Sequence, residues 1–207
     1  MILLWAGVFF IVLGAGCFAI DRQAAHALYD HESAAFQNFL EKTTHWAKAA
    51  HWLVAAVMAL VVAKIGLAWR PGDDSFTRMW TYAWAFIVCL GAGSAILHGM
   101  KLVVGRRRPR DDMEMGLYEF VWFKFDTAYN SFPSGHSLTI TMVAVIASCV
   151  APGWAIVWFA VAFWLSVTRA LLTAHFLSDV FIGGGIGLLA ARETLLYLFP
   201  QLPPPWF

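Results

Sequence analysis

The sequence predicts an all-α polytopic membrane protein, a six-transmembrane-helix bundle with an amphipathic interfacial helix between the first two spans. Three observations predict it. Of 207 residues, 60% are hydrophobic and only 13% charged, about half the charge of an ordinary soluble domain. The apolar residues gather into six stretches that approach the roughly 20 residues needed to cross about 30 Å of hydrocarbon. Between the first two stretches, residues 21–48 instead mix charges with spaced apolar positions. The length suits one domain, residues 1–207. The formal net charge of +1 gives no sign of a nucleic-acid partner, and none is expected.

The first span, about 2–20, lacks the positive start of a cleaved secretory signal and is expected to remain as an anchor. In 21–48, Ala24, Leu28, Phe36, Phe39 and Leu40 fit a helix lying on the membrane surface or packed against the bundle. The second span, 49–69, ends at the turn Arg70-Pro71-Gly72-Asp73-Asp74. The third, 80–103, is followed by the longest non-apolar stretch, 105–133. There Arg106, Arg107 and Arg110 fit a basic patch at the lipid surface. Tyr118, Phe120, Trp122, Phe123 and Phe125 fit anchoring at the headgroups. The fourth span, 135–150, is short unless its helix begins at Ser134. Ala151-Pro152-Gly153 makes it a hairpin with the fifth, 154–172, and the sixth follows at 176–199. Pro203, Pro204 and Pro205 suggest a short extended tail. Cys17, Cys89 and Cys149 lie within apolar stretches and are expected to be small core residues rather than a disulfide framework.

Three polar stretches interrupt this pattern: Lys101…Arg108-Pro109, Pro133-Ser134-Gly135-His136, and Arg169…His175…Asp179. With six antiparallel spans, odd-numbered spans end, and even-numbered spans begin, on the side opposite the N-terminus. All three polar stretches then meet at that one face.

Each stretch allows a specific chemistry beside a blander one. His175 and Asp179 are four apart, so on one helix the carboxylate can hold an imidazole nitrogen and leave the other free to attack. They could equally be a buried polar pair satisfying itself. Ser134 is a good N-cap, Gly135 lets a ligand approach backbone, and free N–H groups at a helix start bind anions. His136, in the first turn, could donate a proton or merely sit at the interface. Lys101 and Arg108 are seven apart and share a helix face if the helix continues to Pro109. Arg169 stands alone in apolar surroundings, where an unpaired charge is costly. A phosphate would neutralise these three cations. His98, one turn before Lys101, could flank such a site, whereas His26, His31, His45 and His51 fit a solvated or structural role.

In order, internal spacing and placement on the spans, Lys-x6-Arg-Pro, Pro-Ser-Gly-His and Arg-x5-His-x3-Asp resemble the three signature motifs of the type 2 phosphatidic acid phosphatase superfamily. The one departure is Thr168, where serine usually precedes the arginine. The resemblance implies a membrane lipid phosphatase that needs no metal or other cofactor. His175 would form a phosphohistidine, Asp179 would orient it, and His136 would act as general acid. Lys101, Arg108, Ser134, Gly135 and Arg169 would hold the phosphate.

The substrate class this implies is a lipid phosphomonoester or diphosphate, with undecaprenyl diphosphate, phosphatidylglycerol phosphate, phosphatidate and the 1-phosphate of lipid A as members, and the small size favours undecaprenyl diphosphate among them. Two alternatives stand beside it: a lipid phosphotransferase using the same intermediate, and a non-catalytic protein that grips anionic headgroups. Counting Lys and Arg near the span ends would place the basic face in the cytoplasm. The resemblance instead implies an inner-membrane protein with cytoplasmic termini and an outward site. The sequence leaves oligomeric state open.

Overall fold

The computed structural model describes residues 1–29, 33–124, 126–204 and 206–207. His31, Phe125 and Pro205, named above, lie outside the described residues. The helices are α1 (Ile2–Cys17), α2 (Asp21–Tyr29), α3 (Ala34–Thr44), α4 (Ala49–Trp69), α5 (Asp74–Val103), α6 (Pro109–Met115), α7 (Gly135–Val150), α8 (Ala155–Leu171) and α9 (Leu177–Leu198). Strands β1 (Val104–Arg106) and β2 (Phe120–Trp122) form an antiparallel pair.

The protein is a mostly helical membrane protein. Among the described residues, four helical runs are long and apolar enough to cross a bilayer: Ala35–Trp69, Asp74–Val103, Pro152–Leu171 and Leu177–Leu198. A fifth is reached if α1 and α2, bent by 80° at their junction, form one broken span. Helix α7 is capped at Ser134, yet with 16 residues it stays short of a full span, so a start at Ser134 does not lengthen it as the sequence reading allows. Large apolar side chains point outward from α1, α4 and α8, including Trp5, Phe9, Met58, Ile65, Ile156 and Phe163. Water would penalise such a surface, but hydrocarbon does not.

Local signals set the helix limits. Gly72 turns the chain at φ 81° after α4, and the Asp73 carboxylate caps α5 by accepting from the Ser75 and Phe76 N–H groups. A short turn at 152–154 reverses α7 into α8. The three cysteines are free and buried. The chain end does not trail away as an extended tail: Phe207 is buried, and Trp206 packs beside it on the core.

Helix α9 is enclosed by α1, α5, α7 and α8. Small residues allow this, because bare backbones can approach closely. A Cβ added to Gly183 would overlap the Ser134 carbonyl, so only glycine lets the start of α7 lie against α9. That approach brings the second and third polar stretches together, and the Ser134 N–H donates to the Asp179 carbonyl at 2.9 Å.

The segment expected to hold one amphipathic helix holds two, α2 and α3, joined through residues outside the description. Phe39 of α3 packs against Trp164 of α8 with ring centroids 6.4 Å apart. At the end of α5 the condition for Lys101 and Arg108 to share a helix face is not met: the helix stops at Val103 rather than continuing to Pro109. Val103, Val104 and Gly105 favour leaving the helix, and the chain passes into β1. Gly105 is needed there, since an added Cβ would lie 2.8 Å from the Val121 carbonyl oxygen across the pair.

Candidate active site

A cavity of about 360 Å³ opens where the ends of α5, α7 and α8 meet the loop before α9. Lys101, Arg108, Gly135, His136, Arg169 and His175 all line it, as do His98, Asn130 and Lys48. The three polar stretches therefore converge. No carboxylate lines the cavity among the described residues, and no group of three His, Cys, Asp or Glu there is placed to hold a metal ion. A larger apolar cavity of about 550 Å³ between α1, α8 and α9 has no ionisable side chain in its wall and offers no comparable chemistry.

His175 lies just before α9, in a turn closed by two hydrogen bonds: the Ala174 and His175 N–H groups both donate to the Arg169 carbonyl at 3.1 Å. This explains the spacing between Arg169 and His175. His175 Nδ1 is 2.8 Å from the Ser131 carbonyl oxygen. That oxygen can only accept, so Nδ1 carries the proton and Nε2 keeps its lone pair. Burial pushes the imidazole below its ordinary pKa, outweighing the opposing pull of Asp179, so the ring is neutral near pH 7.

Asp179 does not hydrogen-bond His175 as four-residue spacing suggests. Its Oδ2 is 3.7 Å from Nδ1, beyond hydrogen-bond range. The spacing rule assumed a helix through His175, whereas α9 begins at Leu177, with Phe176 as its cap. Asp179 instead accepts from Ser131 Oγ at 2.6 Å and the Phe176 N–H at 2.9 Å. It acts on His175 through Ser131, fixing the residue whose carbonyl holds the ring.

Arg106 is the largest departure from expectation. It is 1% exposed rather than part of a lipid-surface patch. Its guanidinium donates to Asp179 Oδ1 at 2.7 Å and Asp21 Oδ2 at 2.8 Å. The rings of Phe18, Tyr118, Phe120 and Phe176 surround it, with centroids 3.9 to 5.6 Å away. Tyr118 and Phe120 thus cage a cation rather than simply anchoring at headgroups, while Trp122 and Phe123 remain exposed. Arg107 also departs from the patch: it is half-buried and donates to the Tyr129 hydroxyl at 3.2 Å. Arg110 is exposed.

Asp21 ends up far from any aqueous surface role. It is 1% exposed and also accepts from the Ser178 N–H at 3.0 Å. Nearby, Asp112 accepts two bonds from Arg22, each 2.9 Å, and lies 3.0 Å from His26 Nε2, pinning α2 to α6. Burial alone would raise the Asp112 pKa, but Arg22 and His26 hold it below the usual carboxylate range.

The cavity cations are held more loosely. Lys101 Nζ donates to the Asn130 carbonyl at 2.7 Å, leaving two N–H groups for a ligand. Arg169 Nη1 donates to Thr44 Oγ1 at 3.1 Å. Arg108 sits just before α6, and its burial, together with neighbouring Arg110, pushes its pKa down. An anion would relieve that. Ser134 is fully buried, and its hydroxyl accepts from the Ser137 N–H and hydroxyl at 3.4 and 3.1 Å. It shapes the turn, whereas Gly135 and His136 face the cavity. Asn130, Ser131, Arg106, Asp21 and Lys48 escaped sequence reasoning.

Residues 82–202 match the family described as PAP2 superfamily, a region containing all three motifs. The lipid A 1-phosphatase of Rhizobium etli is 26% identical to this chain, covering 98% of it and 91% of the relative. That of Rhizobium johnstonii is 32% identical over 61% of this chain and 54% of the relative. Two solved structures share the fold. Aquifex aeolicus LpxE superposes with a TM-score of 0.61 at 16% identity, over 86% of this chain and 96% of that one. A PAP2-type phosphatidylglycerolphosphate phosphatase from Bacillus subtilis gives 0.60 at 18% identity, over 94% of each chain.

Proposed function

The chain belongs to the PAP2 superfamily and is a membrane lipid phosphatase of the phosphohistidine type; from that premise we propose that it works without a metal ion, and how its residues divide the reaction, which lipid it serves and how it faces. One observation carries the division of roles. His175 commits Nδ1 to a backbone carbonyl and shares a cavity with four cations and two further histidines, among them His136.

His175 Nε2 attacks phosphorus, and the bond to the leaving oxygen breaks. Positive charge growing on the imidazole is met by the Ser131 carbonyl and, 3.7 Å away, by Asp179. His136 protonates the leaving oxygen and then takes a proton from the water that cleaves the phosphohistidine. Lys101, Arg108, Arg169 and the backbone at Gly135 hold the phosphoryl oxygens, whose charge spreads in the transition state. Ser134 keeps the turn in place.

The chain works as one unit with six spans, α1, α4, α5, α7, α8 and α9. Helices α2 and α3 lie along the surface, in keeping with exposed Tyr29, Phe36 and Phe39. The termini face the cytoplasm and the site faces outward. With the natural cysteines buried, Glu114→Cys on the exposed end of α6 tests this. An impermeant thiol reagent added to intact cells is expected to block that cysteine; labelling only after lysis would reverse the orientation.

The lipid we assign is the 1-phosphate of lipid A, supported by the relative that matches 98% of this chain. The test is phosphate release by purified protein from lipid A 1-phosphate, undecaprenyl diphosphate, phosphatidylglycerol phosphate and phosphatidate. The expected result is the highest kcat/KM on lipid A. A preference for phosphatidate or phosphatidylglycerol phosphate would displace that assignment, and no release from any lipid would remove the phosphatase reading.

A further inference from the structure

The cavity contains one cation more than a phosphomonoester needs. Lys48, immediately before α4, lines it with His136, Lys101, Arg108 and Arg169. It belongs to none of the three motifs and lies outside the matched region 82–202. Its Nζ is 3.4 and 3.5 Å from the two His45 ring nitrogens and makes no ion pair among the described residues.

Behind the cavity wall, Arg106 is flanked by Asp21 and Asp179, so that group carries one net negative charge. Set against the four cavity cations, and before any histidine is counted, it leaves three positive charges. A phosphomonoester carries about two negative charges; a diphosphate carries more. The position of the surplus is informative. His175 is 5% exposed at the cavity floor, whereas Lys48 is exposed at the mouth. A group attacked by His175 leaves toward the open side of the cavity, where Lys48 stands.

We propose that Lys48 is a specificity residue: it binds the inner phosphate of a lipid diphosphate, the one that leaves with the lipid, and so favours diphosphate over monophosphate substrates. The inference rests on the phosphatase reading above. His175 Nε2 bonds to the terminal phosphorus, and the bond to the bridging oxygen breaks. Lipid monophosphate leaves with the electron pair, its charge met by Lys48 and its oxygen protonated by His136. Water then cleaves the phosphohistidine, releasing inorganic phosphate and restoring neutral His175.

Farnesyl diphosphate and farnesyl monophosphate share one tail and therefore isolate the headgroup. The full-length protein and its Lys48→Met and Lys48→Arg variants are assayed on both lipids. In Lys48→Met the ratio of kcat/KM for diphosphate over monophosphate is expected to fall about ten- to hundredfold, the worth of a hydrogen bond to a charged group. Lys48→Arg is expected to retain most of the ratio. An unchanged ratio, an equal loss on both lipids, or a wild-type protein that turns over only the monophosphate overturns the proposal. A wild-type protein inactive on both, and on the lipids named above, refutes the phosphatase reading itself. If Lys48→Met fails to fold, Lys48→Gln decides by the same ratio.

Discussion

Replacing His175 with Asn lowers phosphate release by at least about a thousandfold, the scale of losing a nucleophile, while lipid still binds. Asn is the informative substitution because its amide can still donate to the Ser131 carbonyl, which His175 Nδ1 approaches at 2.8 Å. The turn is preserved and only the attacking nitrogen is lost. Rapid quench of the natural protein with phosphate-labelled lipid should trap label that survives base and is lost in acid; the variant should trap none. Formation of that label should persist on the acid side below pH about 6.5, the ordinary histidine value, because burial depresses the His175 pKa and the ring stays neutral there. Full turnover by the variant would leave only headgroup binding to explain the cavity.

Convergence of Lys101, Arg108, Gly135, His136, Arg169 and His175 was legible because it depends on span parity, a coarse property that survives errors of several residues at each end. Four of the expected spans, among the described residues, were legible for the same reason: hydrocarbon thickness sets their length. Finer placements were not. Whether Arg106 faces lipid or the interior depends on a change from helix to strand at Val104, and a strand of three residues has too few positions to show a period. Asp21 and its partner Arg106 are 85 residues apart, and nothing local in either segment announces the pair. For His175 and Asp179, four-residue spacing suggested direct contact, but the helix began two residues later than that contact requires. Ser131 came between them, contributing a backbone carbonyl that no side-chain motif could signal.

Removing the Arg106 guanidinium should do the most damage to the fold. Arg106→Met leaves Asp21 and Asp179, 1% and 0% exposed, without the cation that lies between them. Breaking a buried pair in this way costs about 3–5 kcal/mol, which is read as loss of unfolding free energy in detergent. Activity should fall with it chiefly in kcat, since Asp179 fixes Ser131 and Ser131 holds the His175 ring, whereas the cavity cations that bind phosphate remain. Asp21→Asn is milder. It keeps the side-chain shape and leaves Arg106 paired with Asp179 at 2.7 Å. The two changes should not add. In the Asp21→Asn background, Arg106→Met strands one carboxylate rather than two, so its cost should shrink by about 0.5–3 kcal/mol, the range of coupling within one network. Additive losses would mean that Asp21 and Arg106 act separately, and a stable, fully active Arg106→Met protein would mean that the caged cation has no part in holding the nucleophile. Because Asp21 lies outside the region matched to the family, non-additivity would also show that the start of the chain is built into the active site rather than merely anchoring it.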